Sequence, residues 1–207
     1  MVEGLWSRQG AGRLGGKFEE SAMRRMRIVG TLAGMMISGL AISGSAMAQA
    51  PGGPAPVPGP AGEVQRSYAA QKLNVIKAAE KMPADQYQFK ATPDVRTFAR
   101  IVNHITEAQV RSCGVANGTP AAEMMKTPAD TADKDAIVAG LKASFAECDK
   151  AYGATTDANF VETFTMGPGK RTRAGLLWGN VSHDNEQYSA LSMYLRLKGL
   201  APPTSEK

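Results

Sequence analysis

The sequence predicts an all-α four-helix bundle. Three observations lead there: four stretches of about 20 residues place apolar side chains at helical spacing, no stretch alternates at period two, and no internal repeat is visible. Four amphipathic helices of that length bury their apolar stripes against one another as a bundle. With 207 residues and 43% apolar side chains, the chain has room for one ordinary domain and additional segments.

The additional segments lie at the front. Residues 1–22 read as an upstream lead outside the fold. Residues 23–48 carry Arg24-Arg25-Met26-Arg27, an apolar run from Ile28 to Ile42, and Ser45-Ala46-Met47-Ala48. These are the charged n-region, h-region and small-x-small cleavage site of a secretory signal peptide. The apolar run is shorter than the roughly 20 residues a membrane-spanning helix needs, and Gly30, Gly34 and Gly39 interrupt it. Cleavage after Ala48 is therefore expected, with membrane attachment only if the segment stays uncleaved. Met-Arg-Ile follows the twin arginines where a Tat signal prefers an aromatic residue or leucine, which favours the Sec route, and no nearby cysteine suggests a lipoprotein. The protein is expected to be exported, periplasmic or secreted. Residues 49–62 are rich in proline and glycine and read as a semi-extended linker.

The folded domain is expected over residues 63–205. Helix 1 begins at Glu63, carries Val64, Tyr68, Leu73, Ile76 and Ala79 on one stripe, and ends near Met82 because Pro83 disfavours a helical residue before it. Helix 2 opens at Pro93-Asp94, residues suited to a helix N-terminus. It continues through Phe98, Ile101, Val102, Ile105 and Ala108 toward Gly118, with His104 on the stripe. Residues 119–132 are a polar crossover. Helix 3 starts near Asp133 with the most regular pattern: Ile137, Leu141, Phe145, Cys148 and Tyr152. Residues 153–169 are irregular and anchored by Phe160, Val161, Phe164 and Met166. Helix 4 runs from about Thr172 to Lys198, with Gly199 as its cap and Pro202-Pro203 beyond.

Charge and motifs remove several function classes. Residues 1–48 hold six of the 24 Lys/Arg and three of the 19 Asp/Glu, so the remainder keeps 18 and 16, a net of +2. That is no electrostatic footprint for nucleic acid. The cluster Lys170-Arg171-Thr172-Arg173 reads as a solvated helix start. Gly167-Pro168-Gly169-Lys170-Arg171-Thr172 is not a phosphate loop, because Phe164 stands where the first glycine is required and Arg171 where Ser or Thr must follow the lysine. Cys113 and Cys148 have two readings at this point, a disulfide permitted by export or a pair of small buried side chains.

Helix 4 carries the question of function. Asn180, His183 and Gln187 share a face that Leu191 and Tyr194 continue. Polar side chains on a core stripe need hydrogen-bond or ligand partners, since burying them otherwise is unfavourable.

Several stretches together resemble the DinB-like superfamily: Ala78-Ala79-Glu80-Lys81-Met82-Pro83, Tyr87-Gln88-Phe89-Lys90, Arg96-Thr97-Phe98 with Val102-Asn103-His104-Ile105, Asn180-x-x-His183-x-x-Glu186-Gln187-Tyr188, and Tyr194-Leu195-Arg196-Leu197-Lys198-Gly199 with Pro202-Pro203. The resemblance covers about residues 63–205. It implies a four-helix bundle of up-down-down-up topology whose members commonly bind a divalent metal through one histidine on helix 2 and two on helix 4. Some members act as thiol-dependent transferases or isomerases.

Carried onto this chain, the resemblance makes His104 the helix 2 ligand and His183 the first helix 4 ligand, and it puts Gln187 where a third histidine is expected. An amide oxygen is a poor ligand for zinc or nickel, the metals that suit imidazole. Glu186 and Glu107, each three residues after a site histidine, are candidate replacements. Asn180, Glu186 and Tyr188 are candidates to surround and orient the ligands, with Tyr188 also readable as a packed aromatic. The implied parallel arrangement of helices 2 and 3 brings Cys113 and Cys148 to similar height, which points to a Cys113–Cys148 disulfide. Antiparallel packing would separate them by roughly 15–20 Å.

Two functions follow as expectations. One is a divalent-metal-dependent transferase or hydrolase acting on a small molecule whose identity the residues do not show. The other is a non-catalytic structural or binding bundle without metal or other cofactor, which would pair as a homodimer through helix faces. Export weighs against thiol transfer, because low-molecular-weight thiol cosubstrates are cytosolic as a class.

Overall fold

The computed structural model describes residues 59–206. The lead, the signal peptide and the linker as far as residue 58 lie outside the described residues. Four helices form the body: α1 Gly59–Lys81, α2 Phe98–Asn117, α3 Lys134–Gly153 and α4 Arg173–Leu197. Between α3 and α4 lies a two-stranded antiparallel hairpin of β1 Thr163–Met166 and β2 Gly169–Thr172. None of the described helices is long and apolar enough to cross a membrane.

Pairwise contacts set the helix directions. Tyr68 bonds Asp149 and Glu80 pairs with Lys142, so α1 and α3 are antiparallel. Asn103 bonds Asp130 just before α3, Ser144 bonds Gln109, and Asn117 bonds Glu147, so α2 and α3 are parallel. Gln109 meets Asp184 and Tyr194 meets the carbonyl of Arg96, so α2 and α4 are antiparallel. The bundle is therefore up-down-down-up, with α1 and α2 each packed against both α3 and α4. Residues 118–133 run back along the bundle to join the parallel pair, and Pro128 lies so close to Gly140 that any Cβ there would sit 2.8 Å from its ring.

The core follows the helical stripes. Ile137, Leu141, Phe145, Cys148 and Tyr152 of α3 are all buried, as are Phe98, Ile101, Val102, Ile105 and Ala108 of α2. On α1, Val64, Tyr68 and Ala79 are buried, but Leu73 is 60% exposed and Val75 and Ala78 take the inward positions. Tyr68 and Tyr152 stack with centroids 3.8 Å apart across α1 and α3.

Element boundaries differ from expectation where local bonding decides them. The first helix starts at Gly59 rather than Glu63, because Asp157 accepts from the Ala61 N–H and satisfies a free donor of that end. The second starts at Phe98 rather than Pro93. Thr97 caps it through the Arg100 N–H, and the Phe98 and Ala99 N–H groups donate to the carbonyls of Phe89 and Tyr87. The hairpin replaces the irregular segment expected around Phe164. Lys170 and Arg171 lie on β2, α4 starts at Arg173 with Thr172 as its cap, close to the expected start, and Arg173 is buried against Glu162. Gly199 adopts φ 72 just after α4, the left-handed conformation that suits glycine. A disulfide joins Cys113 to Cys148, with Cα atoms 5.0 Å apart.

Candidate metal centre

His104 lies near the middle of α2 and His183 near the middle of α4, and the antiparallel contact of these helices brings the imidazoles together. Their Nε2 atoms are 3.1 Å apart, and the rings meet edge to face. Each Nδ1 is turned toward a carboxylate, His104 toward Glu107 Oε2 at 3.8 Å and His183 toward Asp184 Oδ1 at 3.7 Å. Both separations exceed a hydrogen bond.

The two carboxylates sit in different surroundings. Glu107 is half-exposed and receives two 2.7 Å bonds from the Arg100 guanidinium, a bidentate pair that holds its carboxyl below the usual range. Asp184 is completely buried. Its Oδ2 accepts from Gln109 Nε2 at 3.1 Å, and Gln109 Oε1 in turn accepts from the Ser144 hydroxyl at 2.6 Å. Burial pushes the Asp184 carboxyl up, with His183 and Gln109 opposing. Burial also lowers His104, helped by the positive charges of Arg96 and Arg100 and by His183, while Glu107 acts the other way. His183 Nδ1 and Asp184 Oδ1 are buried without hydrogen-bond partners.

The remaining expected site residues are spread around this pair. Gln187 is 8% exposed, lies one turn along α4 from His183 and forms no hydrogen bond with either imidazole. It lines a groove of about 590 Å³ together with Arg96, Ile101, Glu186 and Met193. Glu186 is exposed on that groove, so it does not join the imidazoles. Asn180 belongs to the disulfide instead: its Oδ1 accepts from Tyr152 at 2.9 Å and lies 3.9 Å from both sulfurs. Tyr188 holds the C-terminal tail, its hydroxyl 3.0 Å from Thr204 Oγ1 and accepting from the Thr204 N–H. Neither Asn180 nor Tyr188 surrounds the histidines. Among the described residues, no three His, Cys, Asp or Glu side chains converge as a metal-binding group.

Asp184 was not anticipated, although periodicity marks it. Leu177, Val181, Tyr188, Leu191 and Leu195 are buried at helical spacing around it, so an aspartate falls in the centre of an apolar stripe.

The imidazole pair fits a divalent cation in part. Nitrogens 3.1 Å apart lie within the span of two ligands at about 2.0–2.1 Å from one zinc. With both Nε2 atoms so used, each Nδ1 would carry its proton toward a carboxylate, the arrangement that orients metal-binding imidazoles. The donor set supplies two strong ligands and no third, and the groove beside Gln187 is lined by neither histidine.

Comparison with known proteins agrees with the architecture. The family model described as the DinB superfamily matches residues 68–189. A DinB-like protein from Bacillus subtilis, 18% identical, aligns over 66% of this chain and 92% of its own with a TM-score of 0.55. A DinB-like protein from Bacillus cereus, 14% identical, aligns over 68% and 93% with a TM-score of 0.56. At such identities the solved structures show a common fold alone. A search of curated proteins finds no match.

Proposed function

The chain belongs to the DinB superfamily, and from that premise we propose that it is an exported protein that binds a divalent metal, zinc or nickel, through His104 and His183. The observation that carries this reading is the opposed arrangement of the two rings, with Nε2 facing Nε2 at 3.1 Å and both Nδ1 atoms facing carboxylates. A bound cation would polarise water or a substrate oxygen, the chemistry used by transferases and hydrolases.

The side chains of this protein supply the rest. Asp184 and Glu107 face the Nδ1 atoms of the imidazoles at 3.7 and 3.8 Å, just beyond hydrogen-bond distance. Gln187 stands where a third imidazole would close the site and instead lines a groove of about 590 Å³, within the range of small-molecule sites. Neither histidine lines that groove, so Gln187 is the side chain through which a bound small molecule would adjoin the imidazole pair. Export is supported by the signal-like segment 23–48 and by the Cys113–Cys148 disulfide, which suits an oxidising compartment.

Elemental analysis of the untagged protein lacking residues 1–48 tests the reading. About one equivalent of zinc or nickel per chain is expected, lost in His183→Ala. The 3.1 Å contact also supports a second reading, a hydrogen bond between neutral imidazoles in a non-catalytic bundle. That reading predicts no stoichiometric metal and a destabilised His183→Ala.

A further inference from the structure

We propose that the apolar groove at the starts of α1 and α4 is a docking site for a proline-rich segment, and that its occupant is the chain's own residues 54–58. This inference is independent of the metal reading. The groove has a volume of about 770 Å³ and is lined by Gly59 and Pro60 of α1, by Phe160, and by Ala174, Gly175 and Trp178 of α4. Trp178 is 58% exposed, although tryptophan is a residue type that folded proteins bury for the most part. Ala174 and Gly175 are its neighbours one turn earlier on the same face, and their small size leaves the groove open beside the indole. Of the described residues lining the groove, Glu63 alone is charged, and it is paired with Arg66. An apolar patch of this kind marks an interaction site, and it calls for an uncharged occupant.

The sequence supplies one at the edge of the groove. Residues 49–58 hold four prolines and no charged side chain. Pro54-Ala55-Pro56-Val57-Pro58 has the composition that favours the polyproline II conformer, which docks into aromatic-lined grooves at low entropic cost. Gly59 itself lines the groove, and consecutive Cα atoms are about 3.8 Å apart, so Pro58 necessarily lies beside it.

Asp157 fixes the point of arrival. It accepts from the Ala61 N–H at 2.8 Å, and Gly59 has φ 86 with no room for a side chain, because a Cβ there would fall 1.8 Å from Asp157 Oδ2. From that point five residues at about 3.1 Å each extend about 15 Å. Attachment one residue from the groove makes docking intramolecular, so a contact too weak to form between separate molecules is populated at an effective concentration on the order of millimolar. The docked segment covers the indole and the apolar lining.

Fluorescence reads the groove directly. The chain has two tryptophans, Trp6 and Trp178, so the protein lacking residues 1–48 reports on Trp178 alone. Residues 49–207 are compared with residues 59–207 and with the Pro54→Ser/Pro56→Ser/Pro58→Ser variant of residues 49–207, by emission maximum, acrylamide quenching and circular dichroism. Both changes are expected to shift emission to the red and raise quenching about twofold, since docking covers one of the two faces of the indole, while helix content stays the same. Unchanged quenching in the serine variant, or altered helix content, overturns the proposal. That variant retains the whole domain and the full length of the segment, so its result decides the matter even if residues 59–207 do not fold. Protection in residues 49–207 that weakens on dilution identifies a second copy as the occupant and also overturns the proposal.

Discussion

In the layer around the Cys113–Cys148 disulfide, the chain satisfies most of its buried polar groups from within. The Tyr152 hydroxyl lies 2.8 Å from the Leu177 carbonyl and 2.9 Å from Asn180 Oδ1, leaving Asn180 Nδ2 as the atom without a partner. Less than one turn along α4, the layer of His104 and His183 is built otherwise. Two buried atoms there, His183 Nδ1 and Asp184 Oδ1, face each other beyond bonding distance, and the rings are half-buried rather than enclosed. Both layers bridge α2 and α4, and only the first also has a covalent link to α3. The first layer has the chemistry of a staple. The second is the layer that the cation proposed above would complete.

Changes in each layer should therefore move different observables. The largest effect is expected from Cys113→Ala/Cys148→Ala. Releasing a link with a sequence separation of 35 lowers stability by about 3–4 kcal/mol, measured by urea unfolding, while zinc stoichiometry stays at the wild-type value. His183→Ala reverses the pattern. On the metal reading proposed above, it removes one of two imidazole ligands and weakens zinc affinity by more than about 100-fold in chelator competition, with a smaller stability loss than the double cysteine variant. Gln187→His sharpens the second layer by offering the third imidazole. Zinc affinity rises about tenfold, and groove-bound ligands lose an open position, both readable by calorimetric titration. The smallest effect is expected from Tyr152→Phe, which removes the hydroxyl from the disulfide layer and costs about 1 kcal/mol in unfolding, with zinc affinity unchanged. A metal effect in Tyr152→Phe, or a disulfide-sized stability loss in His183→Ala, would show that the two layers act as one unit.

Residue by residue, the fold was more legible than the site. The stripe from Ile137 to Tyr152 identifies α3 because five apolar side chains repeat at three or four residues, and all five are buried. Leu73 was misplaced because apolarity alone does not fix rotation when small residues such as Ala78 and Ala79 sit at the close contacts. The hairpin carries little sequence signal because its strands have four residues each: β1 turns only Phe164 and Met166 inward, and β2 is exposed throughout. The start of α2 depends on carbonyls of Tyr87 and Phe89, which propensity at Pro93 and Asp94 cannot register. In the site, the two histidines were visible as polar interruptions of apolar stripes. The different fates of Gln187, Asn180 and Tyr188 were not, because residues three to five positions from His183 on one helix reach different neighbours once three other helices surround it.

By itself, the sequence determined which segments are helices, which stripes can be buried, and that His104 and His183 lie on such stripes. These properties depend on local spacing and side-chain chemistry. Tertiary structure alone decided that the two Nε2 atoms face each other at 3.1 Å, that Glu107 is claimed by Arg100, that Gln187 borders a groove, and that Asp184 lies buried behind His183. Distances of this kind arise from the relative rotation and height of separate helices, and a displacement of one helical residue, about 1.5 Å along the axis and 100° around it, would undo them without altering any local pattern.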